Sequence, residues 1–119
     1  MRVAISCAGT TRDEPVEARF GRARYFLVVD TDAGSLDVVE NVQNRNAAQG
    51  AGIQSAQAVV AAGATALVTG HCGPKAFKVL QAAGVAVHLV DGCTVDEALK
   101  RLASGALHAI ATADVEGHW

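Results

Sequence analysis

The second half of the chain alternates short apolar runs with helically spaced segments, and that alternation dictates a parallel sheet covered by helices. Residues 66–69 (Ala-Leu-Val-Thr) and 85–90 read as buried strands. Between them, Pro74 suits the first position of a helix that runs to Ala83 and closes at Gly84. Upstream, Ile53, Ala56, Val59 and Val60 fall on one face of a helix over 51–62, with Gly63 just past its end. Downstream, Thr94-Val95-Asp96-Glu97 is a capping box for a last helix ending near Ser104-Gly105. Strands that alternate with helices in this way pair in parallel, because each crossover must return the chain to the same end of the sheet.

The first half reads differently. Residues 2–7 (Arg-Val-Ala-Ile-Ser-Cys) form a short apolar strand, followed by a Gly-, Thr- and charge-rich loop over 8–24. Residues 25–30 and 36–42 are strands joined by the turn Asp32-Ala33-Gly34-Ser35, which makes them an antiparallel hairpin. Residues 43–50 are polar and read as a loop. The expected order is β-β-β-α-β-α-β-α, with one domain over 1–108 and a C-terminal tail over 109–119.

Composition narrows the function classes. Net charge is −2, against a dedicated nucleic-acid binder. No apolar run approaches the ~18 residues of a membrane span, and the chain enters its first strand at Arg2 with no signal peptide before it. Three widely spaced cysteines do not make a secreted disulfide framework, and a reducing cytoplasm suits them better. No C-x-x-C supports thioredoxin-type chemistry, and no G-x-G-x-x-G supports a dinucleotide site. The first strand carries no acid, so the paired-carboxylate metal site of a nuclease has no foundation. The chain is therefore read as a binding protein and not as an enzyme.

Three blocks in fixed order carry a resemblance. Arg19-Phe20-Gly21-Arg22-Ala23-Arg24-Tyr25-Phe26 resembles an F-G-R-A-x-Y-F signature, Gly50-Ala51-Gly52-Ile53-Gln54 a G-A-G-I-Q helix start, and Gly70-His71-Cys72-Gly73-Pro74-Lys75-Ala76-Phe77 a G-x-x-G-P-x-A-F block. All belong to the dinitrogenase iron–molybdenum cofactor biosynthesis family, with its NifX-, NafY- and NifB-like members and stand-alone orange proteins. The resemblance implies an α/β, ribonuclease H-like fold: a five-stranded mixed sheet of order 3-2-1-4-5, strand 2 antiparallel, with three helices. It also implies an anionic, molybdenum-containing metal–sulfur cluster, of iron–molybdenum or molybdenum–copper sulfide type, as the bound group. The cluster is carried or assembled without catalysis, and a cluster-donor or acceptor protein is the implied partner. A His precedes the Phe-Gly pair in several members and serves as a ligand in some. Here that position is Arg19, which shifts the expected mode from direct coordination toward electrostatic and backbone caging.

The implied topology brings these blocks to the C-terminal edge of the sheet, where open α/β sheets hold ligands. Arg19, Arg22, Arg24 and Lys75 would neutralise the anion. Gly21, Gly50, Gly52, Gly70 and Gly73 would let backbone approach it. His71, Cys72 and Cys7 are the candidate metal ligands, since thiolate and imidazole suit soft metals. With strands ~4.8 Å apart, Cys7, Cys72 and Cys93 are expected within roughly 10–15 Å of one another. Plainer readings stand beside these. Cys7 could be core, the arginines a solvated loop, Gly21 a positive-φ residue, Gly50 and Gly52 turn residues, and His88 a sheet-face side chain. A small regulatory or interaction module on the same fold, without a cluster, is the alternative function.

Overall fold

A computed structural model describes residues 1–45 and 50–113 of the chain. Residues 46–49 of the expected loop and 114–119 of the expected tail, including His118, lie outside the described residues. Five strands form one sheet: β1 (Arg2–Cys7), β2 (Tyr25–Asp30), β3 (Leu36–Glu40), β4 (Ala66–Thr69) and β5 (Ala86–Leu89). The order is β3-β2-β1-β4-β5, as expected. β2 is antiparallel to both β1 and β3, while β1, β4 and β5 run parallel. Among the described residues four α-helices accompany them, not the expected three: α1 (Val42–Arg45), α2 (Ala51–Ala61), α3 (Pro74–Ala82) and α4 (Val95–Ala103). A 3-10 turn at Phe20–Arg22 is also new. Among the described residues, no helix is long and apolar enough to cross a membrane.

The added helix follows from one side chain. The β-branched run through Val42 suggested a longer strand, but β3 stops at Glu40. Asn41 is buried, and its Nδ2 donates to the Ala23 carbonyl (2.8 Å) and to Ser55 Oγ (3.0 Å). Those bonds turn the chain off the sheet and into α1.

Alternation along β1 sorts the core into two layers. Ala4 faces the side covered by α2 and α3, with Phe20, Phe26, Val28, Ala56, Val59, Leu67, Phe77 and Leu80. Val3, Ile5 and Cys7 face the other side, with Leu27, Val29, Val68, Val95 and Ala98 of α4. Gly63 and Gly84, at φ of 79° and 77°, end α2 and α3 in the left-handed conformation that favours glycine. Thr94 and Glu97 form the expected capping box of α4.

Residues 109–113, assigned above to a tail, return along the outer strand. Ile110 N–H donates to the Val87 carbonyl at 2.8 Å, and Ala109 bridges His88. Ile110 and Ala113 pack against the α2/α3 core layer. The exposed edge of β5 is thereby partly paired, which removes a template for unwanted strand association.

Candidate functional site

β1 and β4 pair only as far as Ile5 and Val68. Beyond that point residues 14–19 cross the sheet end as a strap. The strap bridges β1 at Cys7–Val16, and its Glu17 N–H donates to the Ser6 carbonyl at 2.8 Å. On the other side Gly70 N–H donates to the Glu17 carbonyl at 3.4 Å, and Arg19 bridges His71. Val16 N–H donates to the Cys93 carbonyl, and Pro15 bridges Thr94. The crevice where open α/β sheets receive ligands is therefore filled by the chain itself, and the candidate residues are carried outward from it.

Phe20 anchors the outward turn. Its N–H donates to the His71 carbonyl at 3.1 Å, and its buried ring lies 5.3 Å from that of Phe26. Burying one phenylalanine contributes about 1.5–3 kcal/mol, whereas an exposed ion pair contributes about 0–1 kcal/mol. The apolar anchor, more than the surrounding charges, therefore sets where Arg19, Arg22 and Arg24 project. Arg19 and Arg24 are exposed and Arg22 is half-buried.

The second and third blocks meet this turn. α2 packs against the 3-10 turn and against α3. Gly50 and Gly73 are the N-cap residues of α2 and α3, and neither helix start has a side-chain cap. α4, on the opposite layer, is closed by its capping box. The two helices on the Phe20 side thus begin without a side-chain cap, and each start carries the partial positive charge that attracts an anion. Lys75 is exposed in the first turn of α3, and Lys78 follows one turn on.

The glycines divide by role. Gly50 has φ 77° and serves as a turn residue as well as a helix start. Gly21 is buried inside the 3-10 turn and is not at positive φ. Gly52 lies within α2 and Gly73 is half-buried at the head of α3. Gly70 was expected to admit a ligand, but a Cβ there would lie 2.6 Å from the Ala18 Cα and carbonyl oxygen. Its missing side chain makes room for the strap.

The cysteines are divided between the two core layers. Cys7 and Cys93 belong to the α4 layer, whereas Cys72 is buried in the α2/α3 layer on the other side of the sheet. Val16 runs between Cys7 and Cys93, which separates their backbones by about two strand spacings, ~10 Å. That exceeds the reach of a disulfide. Burial pushes both the Cys7 and Cys93 thiols up from their ordinary pKa, which disfavours the metal-binding thiolate. Among the described residues, no group of three His, Cys, Asp or Glu is placed to hold a metal ion. His71, half-buried beside Arg19, remains the accessible candidate for a single direct bond. His88 is buried on the sheet, its Nδ1 3.4 Å from the Leu67 carbonyl.

Sequence reasoning missed Asn41 and Ser55, whose buried side chains tie the end of β3 to α2 and to the segment bearing the arginines. Asn44 Nδ2 donates to Asn41 Oδ1 at 3.0 Å and completes the node. A lone Asn ending a β-branched run, ten residues before a glycine-flanked helix, was the available signal.

Comparison with known proteins agrees with this fold. The family model described as dinitrogenase iron-molybdenum cofactor matches residues 1–105. The apo orange protein of Desulfovibrio gigas is 39% identical and superposes with a TM-score of 0.93 over 96% of both chains. A Thermotoga protein provisionally assigned as a NifB protein is also 39% identical, with a TM-score of 0.85 over 98% of both chains. An uncharacterised protein of Methanocaldococcus jannaschii is 31% identical over 90 residues, 74% of this chain and 76% of the relative. With its motif blocks gathered at one sheet edge and matched across this length, the chain belongs to the dinitrogenase iron–molybdenum cofactor family.

Proposed function

We propose that this protein binds an anionic, molybdenum-containing metal–sulfur cluster and carries or assembles it, without catalysing a reaction of its own. The carrying observation is the pairing of Arg19 and Phe20 with His71, which sets the arginine-bearing turn at Phe20–Arg22 beside the segment that leads into α3 at Gly73. A sulfide cluster is large, soft and negatively charged. Charge-assisted hydrogen bonds from guanidinium groups and helix N–H donors match it without a full set of protein ligands. The burial of Cys7 and Cys72 supports the same mode: Arg19, Arg22, Arg24 and Lys75 cage the anion, and His71 contributes at most one bond. The family model is named for the iron–molybdenum cofactor, which supports this ligand class. Iron–molybdenum and molybdenum–copper sulfides both satisfy the chemistry. The reducing cytoplasm is the compartment in which such a cluster and three thiols outside any disulfide persist, and a donor or acceptor protein is the expected partner.

Matched charge removal tests the reading. Tetrathiomolybdate and Cu(I) are titrated into Arg24→Gln/Lys75→Gln and into Lys100→Gln/Arg101→Gln, which change net charge equally. The first pair is expected to weaken binding by about tenfold, and the second, on α4, to leave it unchanged. Equal effects from the two pairs would contradict a localised cradle.

A further inference from the structure

The strap is held by a device built on two residues outside the family motifs, Ser6 and Thr69, together with Gly70. Ser6 is the last residue but one of β1 and Thr69 ends β4, and both are fully buried. Their hydroxyl oxygens lie 2.7 Å apart. The Glu17 carbonyl lies 2.9 Å from Ser6 Oγ and 3.5 Å from Thr69 Oγ1. Each hydroxyl has one proton, so one proton joins the two oxygens and the other is donated to the strap carbonyl. Gly70 N–H donates to that same carbonyl, and the missing Gly70 side chain admits the Ala18 backbone. One peptide oxygen therefore gathers donors from β1 and from the end of β4, two residues before Arg19.

We infer that Ser6, Thr69 and Gly70 form a lock that positions Arg19 and the Phe20–Arg22 turn for the anion. These are positioning residues, since their polar groups are committed to each other and to the strap. The inference rests on the proposed cluster binding. An all-apolar β1–β4 end would serve the core equally well, because Leu67 and Val68 already pack beside it. The hydroxyls are explained by the carbonyl they hold. Two features make the effect local. The lock lies where β1 and β4 have ceased to pair, so losing it breaks no ladder bond. The next anchor along the chain is the Phe20 N–H bond to the His71 carbonyl, directly after the residue the lock aims.

The test combines ligand binding with backbone amide exchange in the intact protein. Variants are Ser6→Ala/Thr69→Val, the single Ser6→Ala in case the pair does not fold, and Thr69→Ser, which keeps the hydroxyl. Exchange is read at Glu17, Phe20 and Gly70, with Val28 and Val68 as sheet controls. The double variant is expected to lose protection at the strap amides and keep it in the sheet, and Ser6→Ala, which keeps the Thr69 hydroxyl, to do so in part. The double variant should bind thiomolybdate with Cu(I) about tenfold more weakly, the size expected when groups supporting a ligand shell are removed. Thr69→Ser should match the wild type in both readouts. Strap amides that stay protected without the hydroxyls would overturn the lock, and so would unlocked variants that bind as tightly as wild type. A wild type that binds no cluster would overturn the proposed function, and the exchange readout would then judge the lock alone.

Discussion

Asn41 shows how one uncharged side chain can govern where charges lie. It is 1% exposed, and its amide links the Ala23 carbonyl, Ser55 and Asn44. Asn41→Ala would leave the Ala23 carbonyl without that donor in a buried setting, at a cost of about 1–3 kcal/mol. Urea unfolding should register this as a lower midpoint with an unchanged slope. The cysteines make a second residue-scale case. All three are buried and outside any disulfide, and desolvation raises the pKa of Cys7 and Cys93. A raised thiol pKa means that the folded protein resists ionisation which the unfolded chain undergoes. The resulting stability difference is absent below the ordinary thiol value of about 8.5 and grows against the fold as pH rises through it. Native protein at neutral pH should therefore label with an aromatic disulfide reagent only at the rate of unfolding. Rapid labelling of Cys72 would contradict its burial and revive it as an accessible ligand.

At the level of elements, each helix start announces what it does. α4 is closed by Thr94, whose Oγ1 accepts from Glu97 N–H at 3.2 Å, and Glu97 Oε1 accepts in return from Thr94 N–H. Thr94→Ala should cost about 1 kcal/mol, seen as a lower thermal midpoint, and leave ligand binding intact because α4 lies on the other layer. β1, β2, β4 and the last three helices were legible because periodicity and terminating residues such as Gly63, Gly84 and Thr94 are local signals. The strap was not, because residues 14–19 have no period and take their shape from Ser6, Thr69, Gly70 and Cys93, all distant in sequence. The cysteines were placed at the C-terminal ends of their strands, but their faces were not assigned. Alternation from Val3 and Ile5 does assign Cys7 to the α4 layer. Cys72 and Cys93 follow the ends of their strands, where alternation no longer fixes the side.

For the whole molecule, an acidic average conceals a local basic site. Net charge is −2, yet Arg19, Arg22, Arg24 and Lys75 lie in blocks that the fold assembles around two uncapped helix starts. The strap occupies the crevice at the sheet end and presents this surface outward, which suits a bulky cluster held on the protein more than a small ligand held within it. The most direct test is metal and sulfide analysis, with an absorption spectrum, of the wild-type protein offered thiomolybdate with Cu(I), or the iron–molybdenum cofactor, and then desalted without oxygen. Molybdenum and sulfide are expected to stay with the protein in a fixed ratio and give visible absorption. Protein that emerges colourless and free of molybdenum from both mixtures would contradict cluster binding.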